Sequence, residues 1–349
     1  MENILIRISF AACLLTLALL INACSTRNVS MQLLVPAKIT IPQEIRTVAI
    51  LNRSLPARKE QIINILEGFI TGESILADRE GSFNCIRGVE SRMNESPRIK
   101  AIAIETDTYR GTGTKMFPEM LNWSDVDALC REYKVDAILS LETFDSDFGL
   151  RQYSSDRKEK VNGKEVTTKV YHADLAVNVT SGWRLYDNIG KTMVDQVSFS
   201  DEKKWKGEGN SAANAEGKLP AKRNSINESG RYAGFLMANR LSPNWRKENR
   251  SYYIKGNDDF KKAKKEVKFN NWDAAIAIWK KISDNTDPVL AGRACYNLAL
   301  ASEMKGNLEM AIFWADKAMK QYHDKKARSY VDVLNNRIQN EEKLKEQMQ

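Results

Sequence analysis

The chain has 349 residues, 42% hydrophobic and 28% charged, an ordinary globular balance with room for two domains. Its formal charge of +8 comes from scattered lysines and arginines and accompanies no nucleic-acid motif, so a nucleic-acid partner is not expected. Five cysteines at wide spacings form neither a disulfide framework nor a metal-ligand set.

The first element is a leader. Arg7 supplies positive charge, and Ile8–Ile21 is apolar apart from Ser9 and Thr16. That is the length of a signal h-region and too short to span a bilayer comfortably. Leu20, Ile21, Asn22, Ala23 and Cys24 follow, and this run resembles the bacterial lipobox, with Asn22 departing from the usual small residue. The resemblance implies a signal peptide over 1–23, cleavage before Cys24, and acylation of the Cys24 thiol. The mature chain is then tethered to the cell envelope, and Ser25 is compatible with sorting to the outer membrane, facing the periplasm. Residues 24–44, with Pro36 and Pro42, read as a tether and entry segment.

Residues 45–245 read as an α/β domain. Arg46–Asn52 (RTVAILN) is a short apolar run that suits a buried strand. From Arg58 onward Ile62, Ile63, Leu66, Phe69 and Ile70 repeat at helical spacing, and Gly72 and Gly81 mark loops. Asn84–Asn94 reads as a short helix and Arg98–Glu105 as a second strand. Ser124 reads as the N-cap of a helix containing Val126, Leu129, Cys130 and Tyr133. Val135–Phe144 is a third strand, followed by a polar stretch. Asn162-Gly163 is a hairpin turn signal. Tyr171, Ala173, Leu175, Val177 and Val179 alternate with polar residues, so that strand has one wet face. Met193–Phe199 returns as a strand after a turn at Asp187–Lys191. Gly207–Pro220 reads as a loop and Ile226–Leu241 as a helix stopped by Pro243. The order predicts a mixed sheet with helices packed on it.

RTVAILN, DVDALCREYKVDAILSLETF and WRLYDNIGKTM are similar to segments of the α/β domain of curli-secretion lipoproteins and of the N-terminal domain of the Tol-Pal β-propeller protein. Pro36, Ala37, Ile39, Pro42, Ile45, Val48, Ala49, Asn52 and Arg53 resemble a pattern of Bacteroidota-type lipoproteins of unknown function. These resemblances imply a location and a fold but no activity.

The second domain reads as helical repeats over 250–324. Asn297-Leu298-Ala299, Gly306-Asn307, Ala311, Ala315 and Ala318 resemble the tetratricopeptide pattern, where small residues allow close helix crossing. Ala263, Asn270-Asn271, Trp272, Ala275 and Trp279 make a weaker copy one unit earlier. Residues 325–349 read as a polar capping helix. By register, the concave groove of such repeats exposes Phe260, Lys264, Arg293, Tyr296, Asn297 and Leu300. They make a platform for a protein or peptide partner, or else they pack on the chain's own α/β domain or last helix. The cluster Lys261, Lys262, Lys264 and Lys265 reads as a solvated helix face, with anionic lipid, lipopolysaccharide or an acidic partner as the alternatives.

No coherent active site emerges. His172 and His323 lie far apart in sequence, so neither a metal site nor a nucleophilic triad is supported. Gly111-Thr112-Gly113-Thr114 lacks the lysine of a phosphate loop, and Ser302 with Lys305 matches Ser-x-x-Lys by spelling alone. No cofactor and no metal are expected. The reading is a lipid-anchored, non-catalytic assembly or scaffold module that binds a protein partner through its repeats. The alternatives are a secretion-pore component, or a glycan-binding or hydrolytic envelope protein using Trp183, Tyr186, Trp205 and Trp245.

Overall fold

A computed structural model describes residues 25–55, 72–111 and 116–349, with side chains from residue 77 in the second stretch. The leader, Cys24, the helical pattern at 58–70 and Thr112 to Thr114 lie outside the described residues. The fold is the expected one, a mixed α/β sheet with packed helices followed by consecutive helices in the C-terminal region. The described residues divide into two compact units, one within 36–244 with 344–349, the other of 25–35 with 245–343.

In the α/β unit the strands are β2 (Thr47–Asn52), β3 (Lys100–Ile104), β4 (Ala137–Val161), β5 (Lys164–Asp187) and β6 (Thr192–Gly209). Their order is β3-β2-β4-β5-β6. β2 runs parallel to β3 and β4, and β4-β5-β6 form an antiparallel meander. The continuous apolar run of β2 follows from burial on both faces. Val48 and Ile50 face α1 (Gly72–Asn94) and α4 (Lys222–Leu241), where Val89, Met93, Met237 and Leu241 close the larger core. Ala49 and Leu51 point the other way, toward Val126, Leu129 and Cys130 of α2 (Trp123–Tyr133).

Several boundaries differ from the sequence reading. Gly81 lies inside α1 rather than in a loop, and it is a packing glycine: a Cβ there would come within 2.8 Å of the Phe144 ring. α1 and α4 cross backbone to backbone, and a Cβ on Gly234 would sit 2.1 Å from the Cys85 carbonyl oxygen. The N-cap of α2 is Asn122 rather than Ser124. The polar stretch after Phe144 is no loop: β4 continues through it to Val161, turns at Asn162 and Gly163 with φ of 52° and 79°, and returns as β5. β6 runs on to Gly209, and the short helix α3 (Ala212–Glu216) follows it.

In the second unit, residues read as tether form β1 (Thr26–Val35), which pairs with β7 (Asn244–Tyr253) in a two-stranded sheet. β7 is polar along most of its length, whereas β1 carries an alternation of Val29, Met31, Leu33 and Val35 that the sequence reading passed over. The helices are α5 (Asp258–Lys268), α6 (Trp272–Ile282), α7 (Pro288–Met304), α8 (Leu308–Lys320) and α9 (Lys325–Met348). The α5–α6 and α7–α8 turns have the same design. Asn270 and Gly306 take positive φ of 59° and 77°, and the next residues, Asn271 and Asn307, cap α6 and α8. Ala263, Ala275, Ala299, Ala311 and Ala315 are fully buried in one core with Phe260, Trp279 and Leu298.

Candidate functional site

Of the residues expected to bind a partner, Phe260 and Lys264 lie on α5 and Arg293, Tyr296, Asn297 and Leu300 on α7, and the groove face of α7 is occupied by the chain itself. Phe260, Asn297 and Leu300 are 0% exposed and Tyr296 is 5% exposed, which corrects the expectation of an open platform. The Asn297 amide clamps β7. Its Oδ1 accepts from Tyr253 N and its Nδ2 donates to Tyr253 O, each at 2.8 Å. Arg293 Nη1 donates to Lys255 O at 3.0 Å, and its guanidinium lies over the Tyr253 ring at 5.2 Å. Tyr296 packs between Tyr253 and Tyr330, with ring centroids 5.3 and 5.2 Å away. Burial holds the Tyr253, Tyr296 and Tyr330 phenols above their usual range. Lys264 is half-buried and lines a separate cleft beside α5.

Truncating Asn297 strands a buried backbone donor and acceptor of Tyr253, each unmet group costing about 1–3 kcal/mol. Asn297→Ala is therefore expected to cost the repeat unit roughly 2–3 kcal/mol in a urea titration. An unchanged midpoint would mean that the clamp does not hold the strand.

Below this clamp, Glu303 forms a network that sequence reasoning did not find. Its carboxylate is fully buried and accepts from Arg250 Nε and Nη2 at 3.0 and 3.1 Å, from Tyr330 Oη at 2.5 Å, and pairs with Arg337 Nη1 at 3.1 Å. Burial pulls the Arg250 guanidinium down, but the hydrogen bonds to Glu303 outweigh it and hold the group above its ordinary value.

The α/β unit has its own buried ionic cluster, past the C-terminal ends of the parallel strands. Ligands of open α/β sheets gather at such ends. Here the chain fills the place. Glu142 Oε2 accepts from Arg53 Nη1 at 2.8 Å, and Oε1 accepts from Tyr186 Oη at 3.2 Å with Arg184 Nη1 at 3.8 Å. Further guanidinium donors go to loop carbonyls, Arg53 to Tyr109 and Glu119 at 3.0 and 2.9 Å and Arg184 to Pro118 at 2.8 Å, and Arg184 Nε donates to Gln196 Oε1 at 2.9 Å. The cluster staples the loop onto the sheet. Burial pushes the Glu142 carboxyl up even against two arginines.

One constellation has the composition of a nucleophilic triad. Ser155 Oγ lies 2.7 Å from His172 Nε2, and His172 Nδ1 lies 3.6 Å from Glu208 Oε1. The Asn162-Gly163 turn sets the register that brings Ser155 near His172, so part of it was readable. The geometry does not favour catalysis. The carboxylate is beyond hydrogen-bond reach of the ring, Arg157 Nη2 takes its other oxygen at 2.9 Å, and Ser155 is exposed on a sheet face. Tyr153 stacks on His172 at 4.7 Å, which fits a cross-strand pair.

The other candidates resolve simply. Cys85, Cys130 and Cys295 are buried, and burial pushes the Cys130 and Cys295 thiols up to about 12 and about 11. Ser302 Oγ donates back to Leu298 O at 2.8 Å. Trp183 and Tyr186 are core residues, Trp205 is half-buried, and Trp245 is 48% exposed. Among the described residues no group of three or more His, Cys, Asp or Glu could hold a metal ion.

A model described as a domain of unknown function (DUF8603) matches residues 45–253, and a second domain of unknown function (DUF6340) matches residues 261–336. No curated relative matches the chain. Among solved structures, the PelC dodecamer from Paraburkholderia phytofirmans is similar at 8% identity, over 62% of this chain and 99% of that one, with a TM-score of 0.22. At that score the likeness bears no weight on fold or function.

Proposed function

The chain belongs to the family whose domain of unknown function (DUF8603) spans residues 45–253, and we propose that it is a lipid-anchored, non-catalytic assembly module of the cell envelope. The anchor is Cys24, at the lipobox-like run Ile21 to Cys24, and the module faces the periplasm from the outer membrane. Its partner is a protein, taken up on the β4–β5 ribbon rather than in the repeat groove.

The observation that carries this reading is the ribbon's open edge. β2 pairs with β4 only as far as Leu141, and β6 pairs with β5 only from Tyr171 onward. Ser154–Val161 and Lys164–Lys169 therefore extend as two strands, exposed throughout, with β5 as the single partner of β4 there among the described residues. Two strands alone are marginal in water, and an open edge is a template for a third. A strand supplied by another protein would complete the ladder by main-chain hydrogen bonds. Arg157, Lys158, Glu159, Lys160, Lys164 and Glu165 on this ribbon argue against a lipid-facing barrel wall, so the pore reading is not favoured.

Site-specific photo-crosslinking in native envelopes tests the proposal. A photoreactive residue at Glu159 is expected to capture a discrete envelope protein, whereas one at Tyr296 should give intrachain products alone. Capture from Tyr296 with none from the ribbon would overturn it. Mass spectrometry of the mature N-terminus should find an acylated Cys24, and an unmodified N-terminus elsewhere would remove the anchor.

A further inference from the structure

α5 has two faces of opposite character. Phe260, Ala263 and Val267 are buried in the repeat core. Lys261, Lys264, Lys265 and Lys268 fall at i, i+3, i+4 and i+7, so they form one stripe along the helix. The stripe borders a cleft of ≈ 840 Å³ whose wall also includes Arg27 and Lys255. Among the described lining residues Asp258 is the single acid. It pairs with Lys261 at 2.9 Å, and that hydrogen bond holds its carboxyl below the usual range. Lys261 with Lys265, and Lys264 with Lys268, are like charges one turn apart, an arrangement that weakens a helix unless an anion neutralises it. Positive charge gathered along a concave wall focuses the field on such an anion.

Two further features point to the kind of anion. Phe269, directly after the stripe, is 76% exposed, and Lys268 Nζ lies 6.0 Å from its ring centroid. An aromatic ring beside lysine ammonium groups suits a bilayer interface, with the ring toward the acyl boundary and the charges among phosphates. The cleft also adjoins the start of β1. The Ser25 carbonyl accepts from Ile254 N at 3.0 Å, and Ile254 lines the cleft. Ser25 is one peptide bond from Cys24.

We propose that the lysine face of α5, with Arg27 and Phe269, is a docking surface for the phosphates of an anionic bilayer, placed beside the lipid attachment point. The choice of a bilayer as occupant rests on the lipid-anchor reading of Cys24. The surface supplies the second signal that turns a flexible tether into an oriented attachment. Each lysine close to an anionic surface contributes on the order of 1 kcal/mol, and the attraction decays within a Debye length.

The test uses the chain from Ser25 onward, which contains every described element and carries no lipid. Co-sedimentation is measured with phosphatidylcholine vesicles and with equal mixtures of phosphatidylcholine and phosphatidylglycerol. Binding to the anionic vesicles alone is expected, weakening with added salt. Lys264→Gln/Lys265→Gln/Lys268→Gln should reduce partitioning by roughly 100-fold with unchanged circular dichroism. Lys158→Gln/Lys160→Gln/Lys164→Gln, which removes the same charge from the ribbon, should bind like wild type. Phe269→Ser should weaken binding without altering the salt dependence. Equal binding to both vesicle types, or an equal loss in the ribbon variant, would overturn the proposal. So would uptake of inorganic phosphate without vesicle binding, which would mark a soluble-anion site. The anchor is read separately, by the mass of the mature N-terminus. An acylated Cys24 with no vesicle binding by the Ser25 chain removes the surface and leaves the anchor. An unacylated Cys24 with lysine-dependent binding removes the anchor and leaves the surface.

Discussion

Glu303→Ala is expected to destabilise the repeat unit by about 3–5 kcal/mol, the range for removing one partner of a buried ionic network. The native carboxylate satisfies three groups from two elements at once: Arg250 on β7, and Tyr330 and Arg337 on α9. The two guanidinium side chains are only 13% and 15% exposed, so water cannot replace the lost acceptor cheaply. Glu303→Gln keeps the volume and an acceptor but loses the charge, so a smaller loss is expected. Tyr330→Phe removes a single hydrogen bond and should cost roughly 1–2 kcal/mol. Urea titrations followed by tryptophan fluorescence order the three variants. An alanine variant within experimental error of wild type would show that β7 and α9 are held by apolar packing alone.

Arg53→Ala is expected to cost the α/β unit a similar 3–5 kcal/mol at pH 7, and here the loss depends on pH. Glu142 keeps Arg184, 3.8 Å away, as its cationic partner and the Tyr186 hydroxyl at 3.2 Å, and the Tyr109 and Glu119 carbonyls lose their Arg53 donors. Burial already holds the Glu142 carboxyl above its ordinary range, and losing its nearer guanidinium raises it further. A carboxyl raised by folding contributes stability that is complete below its unfolded value and is lost as pH rises through its folded value. The deficit of Arg53→Ala relative to wild type should therefore shrink as pH falls from 7 toward the ordinary carboxylate range. Adding Glu142→Gln to Arg53→Ala should recover stability at pH 7 and flatten that dependence. Thermal midpoints across this window check it, and a deficit that grows on acidification would contradict the assignment.

Much of the framework was legible because it is written locally. RTVAILN has no polar face, so it had to become a strand buried on both sides. Asn162-Gly163 marked the hairpin because its backbone needs positive φ at both positions. Asn270-Asn271 and Gly306-Asn307 marked the repeat turns because a left-handed residue must be followed by a cap. The strand continuation beyond Phe144 was missed for the opposite reason. Beyond Phe148 its residues are mostly polar and exposed, and cross-strand pairing rather than burial keeps them extended.

The sequence by itself determined which faces of the repeat helices are apolar, where the hairpin and repeat turns fall, and that the segments flanking Asn162-Gly163 pair. Helical spacing placed Arg293, Tyr296, Asn297 and Leu300 together on α7, and the same spacing drew the lysine stripe of α5. Only the tertiary structure decided what meets those faces. Periodicity encodes that a side chain must leave water, not which element will cover it. The cover for α7 is β7, paired with β1 from the far end of the chain, and a pairing over that sequence distance leaves no local signature. Glu303 and Glu142 show the same limit. Each is one acid among 45 in composition, and only the convergence of arginines from distant elements makes it a buried staple.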